Sequence, residues 1–271
     1  MQLTIGGAWR AYEPCFLGID AARSEGAPED RPWYVRHDDR MLGDAELPAL
    51  VEDLGSRAIP GLSLAGCRRL TDAGISAVVA ALPELSHLDL FNTRATDATV
   101  HRLAGMSRLR TLNLAGTSVS DACVESLARL PGLVNLHLGW TQISSTGLRL
   151  IAKLPSLEAL ALRNTLVDDA GLEHLAAARR LTLLSLQSTS VGDAGVKNLV
   201  PAASRLQFLD LSYTHVTEAS VATLARFVEL RTLGLRAVAV GRGSDAHLRR
   251  ALVHLPIAGT SDGGRPQGLF H

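Results

Sequence analysis

The chain has 271 residues, of which 46 % are apolar and 20 % charged, so it can bury a large core. Its 27 basic and 27 acidic side chains cancel, and the isoelectric point lies near 7.1. Because there is no net positive field to hold a phosphate backbone or an anionic lipid surface, we expect neither a nucleic acid nor a membrane as partner.

The compartment is predicted from the N-terminus, the apolar runs and the cysteines. The first thirty residues lack the basic start, apolar run and cleavage site of a signal peptide, and no run of about 18 apolar residues predicts a span. Cys15, Cys67 and Cys123 lie far apart without the spacing of a metal site, which indicates reduced thiols. We therefore expect a cytoplasmic protein, with a secreted effector as the alternative. Abundant arginine with few lysines is typical of a GC-rich bacterial genome.

The N-terminal segment, residues 1–32, follows no repeat and is predicted to be a separate arm. Trp9, Tyr12 and Phe16 would be costly to leave in water. The arm is therefore expected to form a short hairpin or an extended segment laid over the first repeat.

A degenerate repeat opens the predicted repeat domain, residues 33–255. The pattern places Val35 and His37 at strand positions and Leu47 and Leu50 at helix positions. An atypical, more polar unit is expected at the end of a repeat array, because it covers the exposed core. The Leu-Pro pair at positions 47 and 48 also suits an F-box segment, so a ubiquitin-ligase substrate adaptor is a possible alternative.

Residues 86–181 consist of four consecutive copies of a 24-residue sequence repeat. When the four copies are aligned, two leucines and one threonine form columns: Leu88, Leu112, Leu136 and Leu160; Leu90, Leu114, Leu138 and Leu162; Thr93, Thr117, Thr141 and Thr165. A fixed period of this length predicts a solenoid in which each unit packs on the next.

Units of the same pattern precede and follow the four regular copies. A full unit covers residues 58–85, two more cover 182–230, and residues 231–255 are interpreted as the closing cap. The array therefore has about eight or nine units in one domain. Residues 256–271 are rich in Gly, Pro, Ser and Asp and are predicted to be a flexible tail.

Each repeat predicts a strand, a turn and a helix. The Leu-x-Leu alternation is typical of a short strand, and the later apolar residues have the spacing of an amphipathic helix. Thr96, Ser120, Ser144 and Thr217 are predicted N-caps, and Asp97 favours the positive helix end. The threonine column follows the strand, where its hydroxyls are expected to be structural and to satisfy buried amides.

The repeat resembles the leucine-rich repeat family, in particular its cysteine-containing, helix-backed branch. Repeats of that branch contain the motif C-x-x-L-T-D-x-G-L after the strand. This chain matches the motif at Cys67, Leu70, Thr71, Asp72, Gly74 and Ile75. In later units threonine takes the position of the Cys or Asn. The resemblance implies an α/β leucine-rich-repeat solenoid, a horseshoe with a parallel concave sheet and convex helices, and it supports protein recognition in general.

Function is expected at the outward positions of the strands, because the inward leucines are core. These positions carry aromatic and arginine side chains, which interface hot spots favour, beside acidic and polar ones. The predicted partner-binding residues are Asp89, Phe91, Asn113, His137, Trp140, Arg163, Gln187, Phe208, Asp210, Tyr213 and Arg236. The alternative is that some of these rings pack on one another or beneath the arm.

No catalytic residue, cofactor or metal is predicted. Asp89 and His137 share a column but lie two strands apart, about 10 Å between backbones, which is too far for a direct acid–base pair. Metal binding by these two residues with His87 is geometrically possible, but scattered histidines are usually polar surface.

The sequence therefore predicts a non-enzymatic module that binds another protein on its concave face. A small-molecule or peptide sensor, or an enzyme site, between the N-terminal arm and the concave sheet is the rival interpretation.

Overall fold

The computed structural model of the chain describes residues 4–5, 9–12, 34–37, 40–55, 59–238 and 257–258. These residues form one sheet whose strands follow one another in chain order. The strands are β1 (Thr4–Ile5), β2 (Trp9–Tyr12), β3 (Tyr34–His37), β4 (Gly61–Ser63), β5 (His87–Asp89), β6 (Thr111–Asn113), β7 (Asn135–His137), β8 (Ala159–Ala161), β9 (Leu183–Ser185), β10 (Phe208–Asp210), β11 (Thr232–Gly234) and β12 (Ile257–Ala258).

Helices connect most of these strands and lie on the other side of the core. They are α1 (Leu47–Gly55), α2 (Asp72–Ala81), α3 (Asp97–Leu103), α4 (Val124–Leu127), α5 (Ser145–Ile151), α6 (Asp169–Leu175), α7 (Asp193–Asn198) and α8 (Val221–Leu224). Short 3-10 turns precede α4 and α8 and follow α7. Within the described residues no helix is long and apolar enough to cross a membrane.

The strands pair in parallel from β3 to β12, in a register that aligns equivalent repeat positions. Leu112 pairs with Leu136 and Leu136 pairs with Leu160, and all three are fully buried. Strands stack about 4.8 Å apart, whereas helices need about 10 Å, so the sheet lies on the concave side of the solenoid. The predicted architecture is confirmed.

The described part of the N-terminal arm extends the sheet. Strands β1 and β2 form an antiparallel pair, and β2 pairs antiparallel with β3, opposite its parallel partner β4. The expected hairpin is therefore present, and it lies at the edge of the sheet. Val35 pairs with Leu62, which confirms that β3 belongs to the repeat register.

The C-terminal end of the sheet lies beyond the predicted domain boundary at residue 255. Strand β12 pairs with β11, so that Ile257 lies beside Leu233, 24 residues earlier. The sheet thus continues into the segment predicted to be a tail, because the leucine spacing repeats once more. Most of residues 256–271, and Cys15, lie outside the described residues.

Three buried columns form the core of each repeat. The leucines, the inward-facing helix residues and the cysteines Cys67 and Cys123 are at most a few per cent exposed, so both cysteines belong to the core. Burial, followed by the nearby Asp97 carboxylate, raises the pKa of the Cys123 thiol to about 12. This thiol is therefore protonated and unreactive near neutral pH.

The buried threonines bond to carbonyl groups, not to the amides that the sequence suggested. In each repeat the Thr hydroxyl donates to the carbonyl of the leucine three residues earlier, at 2.5–2.8 Å. The Thr93, Thr117 and Thr189 amides donate to the same carbonyls. The threonines are structural, as predicted, but they close the turn within one repeat and do not connect neighbouring repeats.

Most neighbouring repeats are connected instead by an aspartate at or near the start of the helix. Asp72 accepts the amide of Thr96 at 2.9 Å and its hydroxyl at 2.7 Å, and Thr96 in turn caps the next helix by accepting the Ala98 amide. We call this series the cap ladder. Its members are the pairs Asp44–Thr71, Asp72–Thr96, Asp97–Ser120, Asp121–Ser144 and Asp193–Thr217.

The cap ladder determines which residue can stand three positions after each helix cap residue. A Cβ at Gly74, Gly147 or Gly195 would overlap the aspartate of the preceding repeat. Where this position is not glycine, it donates to that carboxylate, as the Thr99 and Ser220 hydroxyls do. Each repeat therefore either leaves room for the carboxylate or binds it.

Burial acts to raise the pKa of Asp72, but the hydrogen bonds from Thr99 and Thr96 outweigh burial and lower it; Asp193 behaves in the same way. A carboxylate with a lowered folded pKa stabilises the protein above its unfolded pKa, and this stabilisation is lost as the pH falls through the folded pKa.

The first prediction concerns the threonine column. Thr141→Val keeps the shape of the side chain and removes its hydroxyl. Because the Leu138 carbonyl loses this donor in a buried turn, the free energy of unfolding should fall by about 1 kcal/mol. Urea unfolding measures this as a lower midpoint with an unchanged slope. Thr141→Ser, which keeps the hydroxyl, should lose clearly less. Equal losses would show that the hydrogen bond contributes nothing.

The second prediction concerns pH. Asp72→Asn removes the charge and one acceptor from the cap ladder, so it should cost about 1 to 2 kcal/mol at neutral pH. The difference from the native chain should narrow as the pH falls below 3.8, because the native carboxylate then becomes protonated. Urea titrations over this range test it, with exposed Glu173→Gln as control. A pH-independent difference would refute the electrostatic account.

Candidate functional site

The eleven predicted binding residues lie on and just beyond the concave strands. Asp89, Asn113, His137, Phe208 and Asp210 lie within strands. The others follow the strands by two or three residues: Phe91, Trp140, Arg163, Gln187, Tyr213 and Arg236. Register brings equivalent positions together, so Asp89, Asn113 and His137 lie on consecutive rungs. We call the positions that follow each strand end by two to six residues the carboxyl edge.

Three of the strand residues stabilise their own turns. The side-chain oxygens of Asp89, Asn113 and Asp210 accept the backbone amide two residues later, at 2.9–3.0 Å. Asp89 also accepts the Ser63 hydroxyl at 2.9 Å, and Asp210 is only 5 % exposed. These groups end the strands and are less available to a partner than the sequence suggested.

His137 is a neutral residue in this structure. Burial lowers the pKa of its imidazole to about 3, and its Nε2 atom is excluded from solvent. Near neutral pH the ring therefore offers no positive charge to an acidic partner. The rung of Asn113 separates it from Asp89. No cluster of three His, Cys, Asp or Glu side chains suited to a metal occurs among the described residues.

A left-handed backbone position follows each strand from β4 to β11 and was not predicted from the sequence. Its members, with φ between 51° and 81°, are Gly66, Asn92, Gly116, Trp140, Asn164, Ser188, Tyr213 and Ala237. The stacking of repeats fixes this conformation, since the amide of Trp140 donates to the Arg163 carbonyl at 2.8 Å and that of Tyr213 to the Arg236 carbonyl at 2.7 Å. Gly and Asn, the residues that favour this region, occupy half of the column and were the available signal.

Trp140 and Tyr213 are unfavourable residues for a left-handed position. A bulky side chain with positive φ costs roughly 1 kcal/mol or more, which Gly or Asn would largely avoid. Both rings are nevertheless exposed, Trp140 at 45 % and Tyr213 at 54 %, and Phe91 nearby at 37 %. Burial therefore cannot account for the choice of these two aromatics.

Arg163 stabilises the orientation of Trp140. Its guanidinium lies over the indole at 4.5 Å from the ring centroid, in a cation–π contact between adjacent repeats. Such a contact contributes about 0.5–1 kcal/mol when exposed. The indole is thus held in place while nearly half of its surface stays open.

Comparison with known proteins identifies the fold. No family profile and no curated protein matches the chain. Among solved structures it is similar to an internalin C2 from Listeria monocytogenes str. 4b F2365, with a TM-score of 0.62 and 21 % identity over 80 % of this chain and 93 % of that one. At this identity the likeness concerns the fold alone. Together with the buried leucine columns, it shows that the chain is an α/β leucine-rich-repeat solenoid.

Proposed function

We propose that the chain is a protein-interaction module whose partner binds the concave face along the carboxyl edge, with Trp140 and Tyr213 as anchors. The observation that carries this proposal is that two exposed aromatic rings stand at backbone positions that disfavour them. Residues kept in strained conformations cluster at binding sites, because a function outweighs the strain. Tryptophan and tyrosine are also the side chains most enriched in interface hot spots.

The scaffold favours tight binding because the anchors are already ordered. Their amides are fixed by hydrogen bonds to the next repeat, and Arg163 restricts the indole. Ordering a free side chain on binding costs about 0.5–1.5 kcal/mol, and a fixed ring avoids much of this cost. Trp140 and Tyr213 lie three rungs apart, which corresponds to about 14 Å. A single partner segment or helix can therefore contact both.

The remaining candidate residues surround the anchors with different roles. Phe91, Gln187 and Arg236 lie on the same edge and offer apolar, hydrogen-bonding and charged contacts. Partly exposed Phe208 lies within β10, near Tyr213 in the same repeat. These residues are proposed to form the rim that excludes water from the anchors.

The described strands of the N-terminal arm give no support to a pocket between that arm and the concave face. They continue the sheet beside β3 and do not cross it. The neutral His137 and the turn-bound Asp89 likewise favour binding over acid–base chemistry.

The third prediction tests the anchors. Trp140→Asn combined with Tyr213→Asn introduces the residue that already occupies positions 92 and 164 of the same column. Relief of strain and loss of ring contacts should roughly offset, so the variant should stay folded. Capture of partner proteins from a lysate of the source cells should fall at least about thirtyfold, as expected for an anchor of about 2 kcal/mol.

The matched control is Val228→Asn, which removes an apolar side chain that is 66 % exposed in the turn leading to β11, away from the carboxyl edge. This variant should capture the same proteins as the native chain. An unchanged set of captured proteins with the double variant, shown to be folded by thermal unfolding, would eliminate the proposed function.

A further inference from the structure

A second group of exposed side chains lies on the carboxyl edge, near its N-terminal end. It consists of Arg40, Arg68, Arg69 and Arg94, which we call the arginine cluster. Arg69 pairs with Gly43 and Arg94 with Thr71 in equivalent bridges between successive repeats. The backbones of Arg69 and Arg94 are therefore about 5 Å apart, which is the spacing of adjacent strands.

The other two arginines approach the same place along the left-handed column. The Arg68 guanidinium donates to the side-chain oxygen of Asn92 at 2.8 and 3.1 Å, with the amide oriented to accept. The Arg40 side chain lies against Gly66, where an added Cβ would be 3.6 Å from Cδ. The Gly66 amide donates to the Phe91 carbonyl, so the cluster lies beside the backbone of the exposed Phe91.

The charges of the cluster are not neutralised by ion pairs within the described part of the chain. Ion pairs there join Arg108 to Glu84 and Arg180 to Glu158. Glu46, the acidic side chain beside Gly43, accepts the amide of Gly43 and does not pair with Arg69. The four guanidinium groups thus present most of their donors to solvent.

The whole carboxyl edge carries no acidic side chain over the described repeats. The left-handed column holds only Gly, Asn, Ser, Ala and the two aromatics. The positions equivalent to Arg69 and Arg94 continue as Ser118, Gln142, Leu166, Ser190 and His215. The chain as a whole has equal numbers of acidic and basic residues, so this edge is more positive than the chain average.

We infer that the partner binds the arginine cluster through a carboxylate-rich peptide segment that continues along the carboxyl edge to Trp140 and Tyr213. This inference rests on the proposed function and specifies the chemistry of the partner. Arginine binds carboxylates through two parallel hydrogen bonds, and clusters of arginine recognise acidic motifs. From Arg69 to Tyr213 the edge spans six rungs, about 29 Å, which an extended segment of about nine residues covers.

The cap ladder favours a peptide over a nucleic acid. Its carboxylates, such as Asp72 and Asp97, follow Arg69 and Arg94 by three residues and run parallel to the edge. A phosphate backbone is charged along its whole length and would meet these carboxylates on most rungs. A peptide can place its acidic residues opposite the arginines alone and leave apolar residues for the aromatic anchors.

The fourth prediction uses a fluorescent peptide of alternating Asp and Glu followed by Gly-Leu-Phe-Leu as probe, and fluorescence anisotropy as readout. The variant is Arg68→Gln with Arg69→Gln and Arg94→Gln. It should bind the peptide at least about tenfold more weakly than the native chain at about 50 mM salt, and raising the salt should weaken native binding.

The matched control is Arg102→Gln with Arg129→Gln and Arg149→Gln. It makes the same charge change at exposed positions in or just after the convex helices, and it should change affinity less than about twofold. A separate Arg94→Glu variant should lose more affinity than Arg94→Gln. Thermal unfolding verifies that each variant is folded.

Three results would overturn the inference: equal binding of a peptide with Asn and Gln in place of the acids, equal losses in both triple variants, or an oligothymidine that binds more tightly than the acidic peptide. If any of these results is found while capture of partner proteins still depends on Trp140 and Tyr213, the acidic segment is refuted and the proposed function stands. Loss of the capture dependence removes the proposed function, whatever the peptide does.

Discussion

The parallel stacking of repeats at one fixed register is the constraint on which the rest of the structure depends. Because Leu112, Leu136 and Leu160 pair rung by rung and are fully buried, every other repeat position is also repeated at the strand spacing. Each position thereby becomes a column with one backbone conformation and one set of neighbours. A side chain must suit its column, and a residue that does not suit it calls for a separate explanation.

The columns that depend on local spacing could be predicted from the sequence, and those that depend on contacts between repeats could not. Alternating leucines, N-caps such as Thr96 and the buried threonines follow from periodicity and hydrogen-bonding capacity. The second role of Asp72, as acceptor from Thr96, requires two repeats to be placed side by side. The left-handed position was visible only as a recurrence of Gly and Asn, which the aromatic rings in that column obscured.

The sequence predicted which residues lie at the candidate site better than it predicted what each of them does. Aromatic and arginine side chains at outward positions were visible in the sequence, but the availability of each group depends on the turn that it occupies. Asp89 and Asn113 share the outward side of the strands with other candidates, yet their oxygens are used by amides two residues later. His137 is on the expected rung, and burial alone makes it neutral. The spacing of residues in the sequence does not reveal how burial and hydrogen bonds change the charge or the availability of a side chain.

The arrangement of charge follows from the same columns. The cap ladder requires an acceptor at most helix starts, so it fixes a line of carboxylates, and hydrogen bonds from neighbouring caps lower the pKa of Asp72 and Asp193. The carboxyl edge beside this line has no such requirement, and near its N-terminal end it carries arginine instead. A neutral chain can therefore present a local positive edge, because some of its negative charges lie in the cap ladder and join the repeats. Net charge gives no reason to expect a long polyanion as partner, and the distribution of charge between columns favours the proposed short acidic segment beside the two aromatic anchors.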